Sequence, residues 1–157
     1  MEKIMKKIIC TVLCIVFAGA FVYAQEAKSG KTAKEYIADL SSAGDEKTLI
    51  QAAQWLGNNN DKDAVPGLIN LLSDKRASLR IEAAVALGLI AEESSAEALG
   101  NAMLNDESPE VRYAALLATM RIGSKKSIDA YKQLKEKESD PFIKDLLAKM
   151  EDKLKGK

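Results

Sequence analysis

The chain lacks histidine altogether, and its two cysteines, Cys10 and Cys14, both lie close to the N-terminus. Zinc, copper and haem sites and Cys/His nucleophiles depend on these residue types, so beyond Cys14 their usual forms are excluded. A phosphate-binding loop is also missing, because the sequence at residues 30–32 (GKT) lacks the preceding glycine and an upstream strand. A hydrolytic site made of two carboxylates stays open as an alternative, but no spacing in the sequence singles out such a pair. We therefore predict no catalytic residues, no metal and no cofactor, and a protein that is not an enzyme.

Aromatic residues are scarce as well, at 5% of the chain, whereas alanine and leucine are abundant. This composition favours close-packed helices over sheets. The 23 basic and 23 acidic residues balance, and beyond residues 1–24, which hold three lysines and one glutamate, 20 basic and 22 acidic residues remain. The lysines near the C-terminus are diluted by acids and have no aromatic residues among them for base stacking. We therefore predict no binding to nucleic acid.

The N-terminal residues 1–24 have the layout of a secretory signal peptide. Three lysines precede residues 8–24, which carry no charge, and the last three residues of this run are Val22-Tyr23-Ala24. A small apolar residue at the third position from the end and alanine at the last one are typical of a cleavage site. We predict cleavage after Ala24 and export of the protein to the periplasm or the medium, with no membrane attachment afterwards.

Two other interpretations of this segment stay open. Seventeen uncharged residues approach the length that spans a bilayer, so residues 1–24 could remain as a membrane anchor. A lipid anchor at Cys14 is less favoured, because no small residue precedes this cysteine. Residues 25–31 are polar and lack apolar periodicity, and we predict that they form a flexible leader.

A motif recurs along the rest of the chain at intervals of about 32 residues. Residues 74–91 (DKRASLRIEAAVALGLIA) return in diverged form at 106–123 (DESPEVRYAALLATMRIG), with shorter copies at 48–57 and 138–147. Four copies at a near-constant period are the signature of a repeat array. Each repeat is predicted to hold two helices, with boundaries at about 32–60, 61–92, 93–124 and 125–157.

Capping residues mark the predicted helix boundaries. Ser108-Pro109 and Asp140-Pro141 each place a capping side chain before a proline at the first helical position, which is a strong helix-start signal. Gly57, Gly88 and Gly123 are expected toward the opposite ends of their helices.

The repeated motif resembles the HEAT repeats of the short, lyase-type subclass. The residues that carry the resemblance are Asp74, Leu79-Arg80, Ala83-Ala84, Leu87-Gly88 and Ile90, which return as Asp106, Val111-Arg112, Ala115-Leu116, Thr119 and Ile122. The resemblance covers residues 32–157 and implies an all-α fold, a short right-handed α-solenoid of about four HEAT-like helical hairpins. Members of this family mostly act as binding scaffolds. Some relatives attach bilin chromophores, but no residue here points to that activity.

The resemblance also implies a structural ladder built from Asp74, Arg80, Asp106 and Arg112. In each repeat the acid precedes the arginine by six residues, and Glu138 and Lys144 keep the same spacing. Such residues are expected to form hydrogen-bonded pairs from one repeat to the next, because the planar fork of arginine can hold a carboxylate and turn carbonyls together. A catalytic role for these pairs is much less favoured.

The second helix of each repeat is predicted to have a buried and an open face. At 100° per residue, Leu79, Ala83, Ala86, Leu87 and Ile90 share the face expected to pack on the partner helix of the same repeat. Trp55 lies on the equivalent face of the first repeat, where it fills the core rather than serving as a platform for a ligand.

The open face is the candidate binding site. Its residues are Ile81, Val85, Leu89, Tyr113, Leu117, Met120 and Arg121. In a stacked solenoid this face lines the concave side, where such proteins usually bind partners, and its apolar centre has polar ends. The alternative is that neighbouring elements or curvature bury these side chains.

We accordingly predict a non-catalytic scaffold that binds an unidentified protein or peptide on its concave face. One alternative is a self-assembling or envelope-associated structural component. A second alternative is a carrier that holds a small ligand in the concave groove.

Overall fold

The structure is a computed structural model that describes residues 30–41 and 44–155. Within these residues the regular elements are helices and no strand is present. The eight α-helices are α1 (Ala33–Ser41), α2 (Glu46–Asn58), α3 (Val65–Leu71), α4 (Ala77–Ile90), α5 (Ala96–Asn105), α6 (Pro109–Ile122), α7 (Ile128–Lys137) and α8 (Pro141–Lys155). Single 3₁₀ turns precede α3, α5 and α7, at Lys62–Ala64, Glu93–Ser95 and Lys125–Ser127. The predicted signal peptide and residues 25–29 of the predicted leader lie outside the described residues.

The helices form four hairpins that stack in chain order. In each hairpin an odd-numbered first helix precedes an even-numbered second helix; α1 packs on α2, α3 on α4 and α5 on α6. The second helices also pack on one another, α2 on α4 and α4 on α6, and the first helices do likewise, α1 on α3 and α5 on α7. Each hairpin therefore buries its apolar side against its neighbours. The prediction of an all-α solenoid of helical hairpins is confirmed.

Local capping explains where α2, α6 and α8 begin, whereas the residue before α4, Arg76, makes no side-chain cap. Asp45 accepts a hydrogen bond from the backbone N–H of Thr48 over 3.1 Å at the start of α2, and Ser108 Oγ accepts one from Val111 at the start of α6. At the start of α8, the Asp140 carboxylate accepts from the N–H groups of Phe142 and Ile143, each over 3.0 Å. These side chains satisfy N–H groups that the helix itself leaves unpaired. The helix starts predicted at Pro109 and Pro141 are confirmed.

The core consists mainly of leucine and alanine between the two helix layers. Leu56, Leu68, Leu79, Leu87 and Leu99 are fully buried. Each leucine stabilises the fold by about 1.5–3 kcal/mol relative to an exposed side chain. The intervening alanines leave the helices room to approach one another.

One buried polar side chain in this core, that of Thr119, both donates and accepts a hydrogen bond. Its hydroxyl donates to the Leu116 carbonyl over 2.8 Å and accepts from the Tyr131 hydroxyl over 2.8 Å. Burial raises the pKa of Tyr131, which keeps its proton and continues to donate. The network thereby joins the first helix of the fourth hairpin to the second helix of the third.

Two of the three glycines expected at helix ends have a different role. Gly123 does end α6 in the left-handed conformation, with φ of 65°. Gly57 and Gly88 lie in the last turns of α2 and α4, as predicted, but they do not act as left-handed caps. A Cβ atom on Gly57 would lie 2.8 Å from Ala86 Cα, and one on Gly88 would lie 2.9 Å from Ala118 Cα. The absence of a side chain lets the backbones of successive second helices approach closely.

The same contact gives Ala86 a second packing partner. This residue was expected to face the partner helix of its own repeat. It also lies against Gly57 of α2, the second helix of the preceding repeat. A helical-wheel argument does not separate these two directions, because in a stacked array a second helix packs both on its own first helix and on adjacent second helices.

Candidate functional site

Arg80 joins the second hairpin to the third. Its Nε donates to Asp106 Oδ2 over 2.8 Å and its Nη2 donates to Asp106 Oδ1 over 2.9 Å. Its Nη1 donates to the main-chain carbonyl of Asp74 over 2.9 Å. One guanidinium thus holds the turn of its own repeat and the acid of the next, and both side chains of the pair are more than nine-tenths buried.

Arg112 repeats this arrangement between the third and fourth hairpins. Its Nε and Nη2 donate to the two carboxylate oxygens of Glu138 over 2.9 and 2.8 Å, and its Nη1 donates to the carbonyl of Asp106 over 3.0 Å. The Arg112 pair lowers the pKa of Glu138, and the hydrogen bond with Glu138 raises the pKa of Arg112. Glu138 was noted in the sequence only for its spacing, yet it occupies the place that Asp106 has one repeat earlier.

Asp74 differs from the other two ladder acids. Its carboxylate accepts from Nε and Nη2 of Arg76, each over 2.9 Å, and from the Arg76 backbone N–H over 2.8 Å. These bonds lower the pKa of Asp74 to about 2. The carbonyl of Asp74 therefore takes part in a contact within its own repeat, and neither of its carboxylate oxygens pairs with an arginine of the first hairpin.

The candidate binding face lies on α4 and α6 and is partly open to solvent. Val85, Leu117 and Met120 are 44%, 41% and 40% exposed. Ile81, Leu89 and Tyr113 are half-buried and Arg121 is exposed. We call these seven residues the central apolar surface. Single exposed hydrophobic side chains are common on proteins, but a cluster on adjacent helices is typical of an interaction site.

Phe142 extends this surface and was missed in the sequence. It is 62% exposed at the start of α8, and its ring meets that of Tyr113 edge-on, with 5.2 Å between the ring centroids. The equivalent residues 32 and 64 positions earlier are Glu110 and Ser78. A phenylalanine at a position that is polar in the other repeats is the signal that could have identified it.

A second aromatic contact lies in the first hairpin. Trp55 stacks on Tyr36 of α1, with ring centroids 4.6 Å apart and planes inclined by 19°. Tyr36 is buried and Trp55 is half-buried against the core cluster.

An open cleft of about 520 Å³ lies beside the turn of the second hairpin. Its lining includes Leu40, Leu49 and Leu71 together with Asp74 and Arg76. Leucine and ionic side chains therefore meet in one depression, a combination that is suited to an amphipathic group.

The described part of the chain contains neither a candidate membrane span nor a candidate metal site. No helix there is long and apolar enough to cross a bilayer. Nor do the described residues bring together three or more metal-ligating side chains.

Comparisons with known proteins agree with the architecture. A family model described as HEAT repeats matches residues 34–106 and 78–150. A deoxyhypusine hydroxylase of Arabidopsis thaliana is 35% identical over 95 residues, which are 59% of this chain and 30% of that protein. The solved complex of CpcE and CpcF of phycocyanin lyase from Nostoc sp. PCC7120 contains a similar chain, at 31% identity and a TM-score of 0.60. That match covers 66% of this chain and 42% of the other, so this chain spans less than half the length of either protein.

Proposed function

Because this chain belongs to the HEAT-repeat family, we propose that it is a non-catalytic interaction scaffold that binds a protein or peptide on the central apolar surface. The observation that carries the proposal is the exposure of Val85, Leu117 and Met120 on adjacent second helices. A contiguous apolar area on a stacked solenoid is where a partner gains the most from burial. In this fold the second helices are expected to line the concave side.

The similar solved chain supports a protein as the partner, because it is part of a complex of two proteins. The similarity to a hydroxylase favours no activity here, since the match covers only 30% of that protein. The absence of histidine from the whole sequence also speaks against the metal and nucleophile sites described above. We therefore propose binding without catalysis.

The proposal is tested with a double variant, Val85→Asp/Leu117→Asp, in a crosslinking pull-down from the native cells. Two carboxylates in the centre of the central apolar surface would have to be desolvated on binding, so recovery of a true partner is expected to fall at least about tenfold. Ile128→Asp is the matched control. Ile128 is also a large exposed apolar residue, at 48%, but it lies on α7 in the layer of first helices.

Circular dichroism on both variants would establish that the helices survive. A partner that is recovered with the wild type and with Ile128→Asp, and lost with the double variant, supports the proposal. An identical partner list from the wild type and the folded double variant would contradict it. Sedimentation equilibrium of the wild type alone distinguishes a heterologous partner from self-assembly.

A further inference from the structure

The ladder of arginines is incomplete at its N-terminal end. The ladder arginines are the fourth residues of their second helices, since α4 begins at Ala77 and α6 at Pro109. The fourth residue of α2, which begins at Glu46, is Leu49. No arginine of the first hairpin therefore reaches the acid in the next turn, Asp74.

Arg76 takes over part of the role of the missing arginine. Its Nε and Nη2 grip both carboxylate oxygens of Asp74, as those of Arg80 grip Asp106. The replacement is less enclosed: the Asp74 side chain is 21% exposed, compared with 8% for Asp106 and 1% for Glu138. A guanidinium from outside the chain can therefore approach this carboxylate, whereas the other two ladder acids are closed off.

The cleft beside Asp74 has a shape and composition suited to such a group. Leu40, Leu49 and Leu71 give it an apolar floor along which an alkyl stem can lie. Asp45 and Glu46 at the start of α2 also attract Arg76 electrostatically. Asp45 and Glu46 therefore offer Arg76 other negative charges when Asp74 takes a different partner.

We propose that this cleft binds an arginine side chain of a partner protein, whose guanidinium takes the ladder position that Leu49 leaves unfilled in the first repeat. The fork of the incoming group pairs with the Asp74 carboxylate, and Arg76 turns toward Asp45 and Glu46. Lysine fits less well, because an ammonium group does not pair with two carboxylate oxygens in one plane. The site is separate from the central apolar surface, which lies on the exposed face of α4 and α6.

In this proposal Arg76 competes with the incoming arginine for the Asp74 carboxylate. Removal of Arg76 must then strengthen binding, and removal of the Asp74 charge must abolish it. A structural role of these residues alone would not produce opposite effects of the two changes on a ligand.

The experiment is an NMR titration of the full chain with N-acetyl-L-arginine amide, followed through the backbone amides of Gly44–Leu49 and Ser73–Ala77. N-acetyl-L-lysine amide is the comparison ligand. For the wild type, the arginine compound is expected to shift these amides and the lysine compound to shift them much less. Arg76→Gln is expected to lower the dissociation constant of the arginine compound by roughly threefold to tenfold, since a partly exposed ion pair no longer competes. Asp74→Asn is expected to remove the shifts.

Asp129→Asn is the matched control, because Asp129 is an exposed acid on α7 far along the chain that also pairs with a neighbouring cation, Lys132. It must leave the titration unchanged. Equal shifts by the arginine and lysine compounds, or weaker binding by a folded Arg76→Gln variant, would overturn the proposal. If Arg76→Gln is unstable, Arg76→Lys replaces it in the experiment, because lysine keeps a positive charge in the turn. The Arg76→Lys variant must still bind the arginine compound more tightly than the wild type does.

Discussion

At the scale of single residues, the buried ion pairs fix how one hairpin sits on the next. Removing one partner of such a pair leaves a buried charge and costs about 3–5 kcal/mol, whereas replacing both by apolar groups is often neutral. The presence of the buried pair Arg80–Asp106 is therefore weak evidence that the pair adds to the net stability of the fold. Because each arginine also holds a turn carbonyl of its own repeat, we expect the ladder mainly to set the register between hairpins.

The effect of pH on Glu138 tests this view. Arg112 lowers the pKa of Glu138 below its ordinary value of 4.5, so the charged pair stabilises the folded state above pH 4.5. That contribution is lost as the pH falls through the lower folded pKa. Glu138→Gln is expected to destabilise the protein by about 1–3 kcal/mol at pH 7. The difference in the free energy of unfolding between the variant and the wild type must become smaller as the pH drops below 4.5. Urea unfolding between pH 2 and 7 measures this difference.

Asp129→Asn is the control for this measurement, because the exposed ion pair of Asp129 with Lys132 contributes little to stability. A gap between wild type and Glu138→Gln that stays constant from pH 7 to 2 would mean that the carboxylate charge is not what stabilises the contact.

At the residue scale, the sequence carries a signal where the motif repeats and none where it changes. Arg80 and Arg112 could be singled out because the same residue type returns after 32 positions. Neither the switch of Asp74 to a partner in its own turn, Arg76, nor the outward position of Phe142 follows from the periodicity. Both depend on which side chains the adjacent hairpin presents, and this is a property of the assembled array.

At the scale of the helix, close packing of successive second helices rests on glycine facing alanine. Gly57 meets Ala86, and Gly88 meets Ala118, so that backbone lies against backbone. Glycine in a helix is less favourable than alanine by about 1 kcal/mol, and the gain in packing must exceed this amount.

Alanine substitutions at two glycines should therefore have opposite effects. In Gly57→Ala the new methyl group would come within 2.8 Å of the Ala86 backbone, so the helices must separate, and we expect a loss of about 1–3 kcal/mol in the free energy of unfolding. In Gly100→Ala the nearest atom, Ala130 Cβ, lies at 3.6 Å, an ordinary contact. Here the better helix propensity of alanine should stabilise α5 by about 0.5–1 kcal/mol. Denaturant unfolding of both variants measures the difference, and stabilisation in both would refute the close-packing role.

The helix boundaries were largely predictable because they depend on nearby residues. Ser108 and Asp140 accept N–H groups only two or three residues further on, and proline follows each directly, so a short stretch of sequence carries the whole signal. The separation of two helices depends on residues about thirty positions apart. For that reason the close helix contacts at Gly57 and Gly88 do not follow from their local sequence.

At the scale of the whole molecule, the N-terminal segment is predicted to determine where the repeat array acts. We propose that the protein is exported and that residues 1–24 are removed. N-terminal sequencing of the protein recovered from its native cells is then expected to begin at Gln25. Replacing the three lysines before the apolar run by glutamate should leave the precursor uncleaved inside the cell. Recovery of the intact chain in the membrane fraction of wild-type cells would favour the anchor instead.

The stacked pair of Trp55 and Tyr36 has a consequence for observing the array. Trp55 is the only tryptophan in the sequence, and its partner Tyr36 belongs to the same first hairpin. Its ultraviolet emission therefore reports on one end of the molecule, while helical ellipticity reports on every hairpin at once. In an array whose units touch only their neighbours, any gap between the two melting curves measures how tightly that terminal hairpin is coupled to the other three.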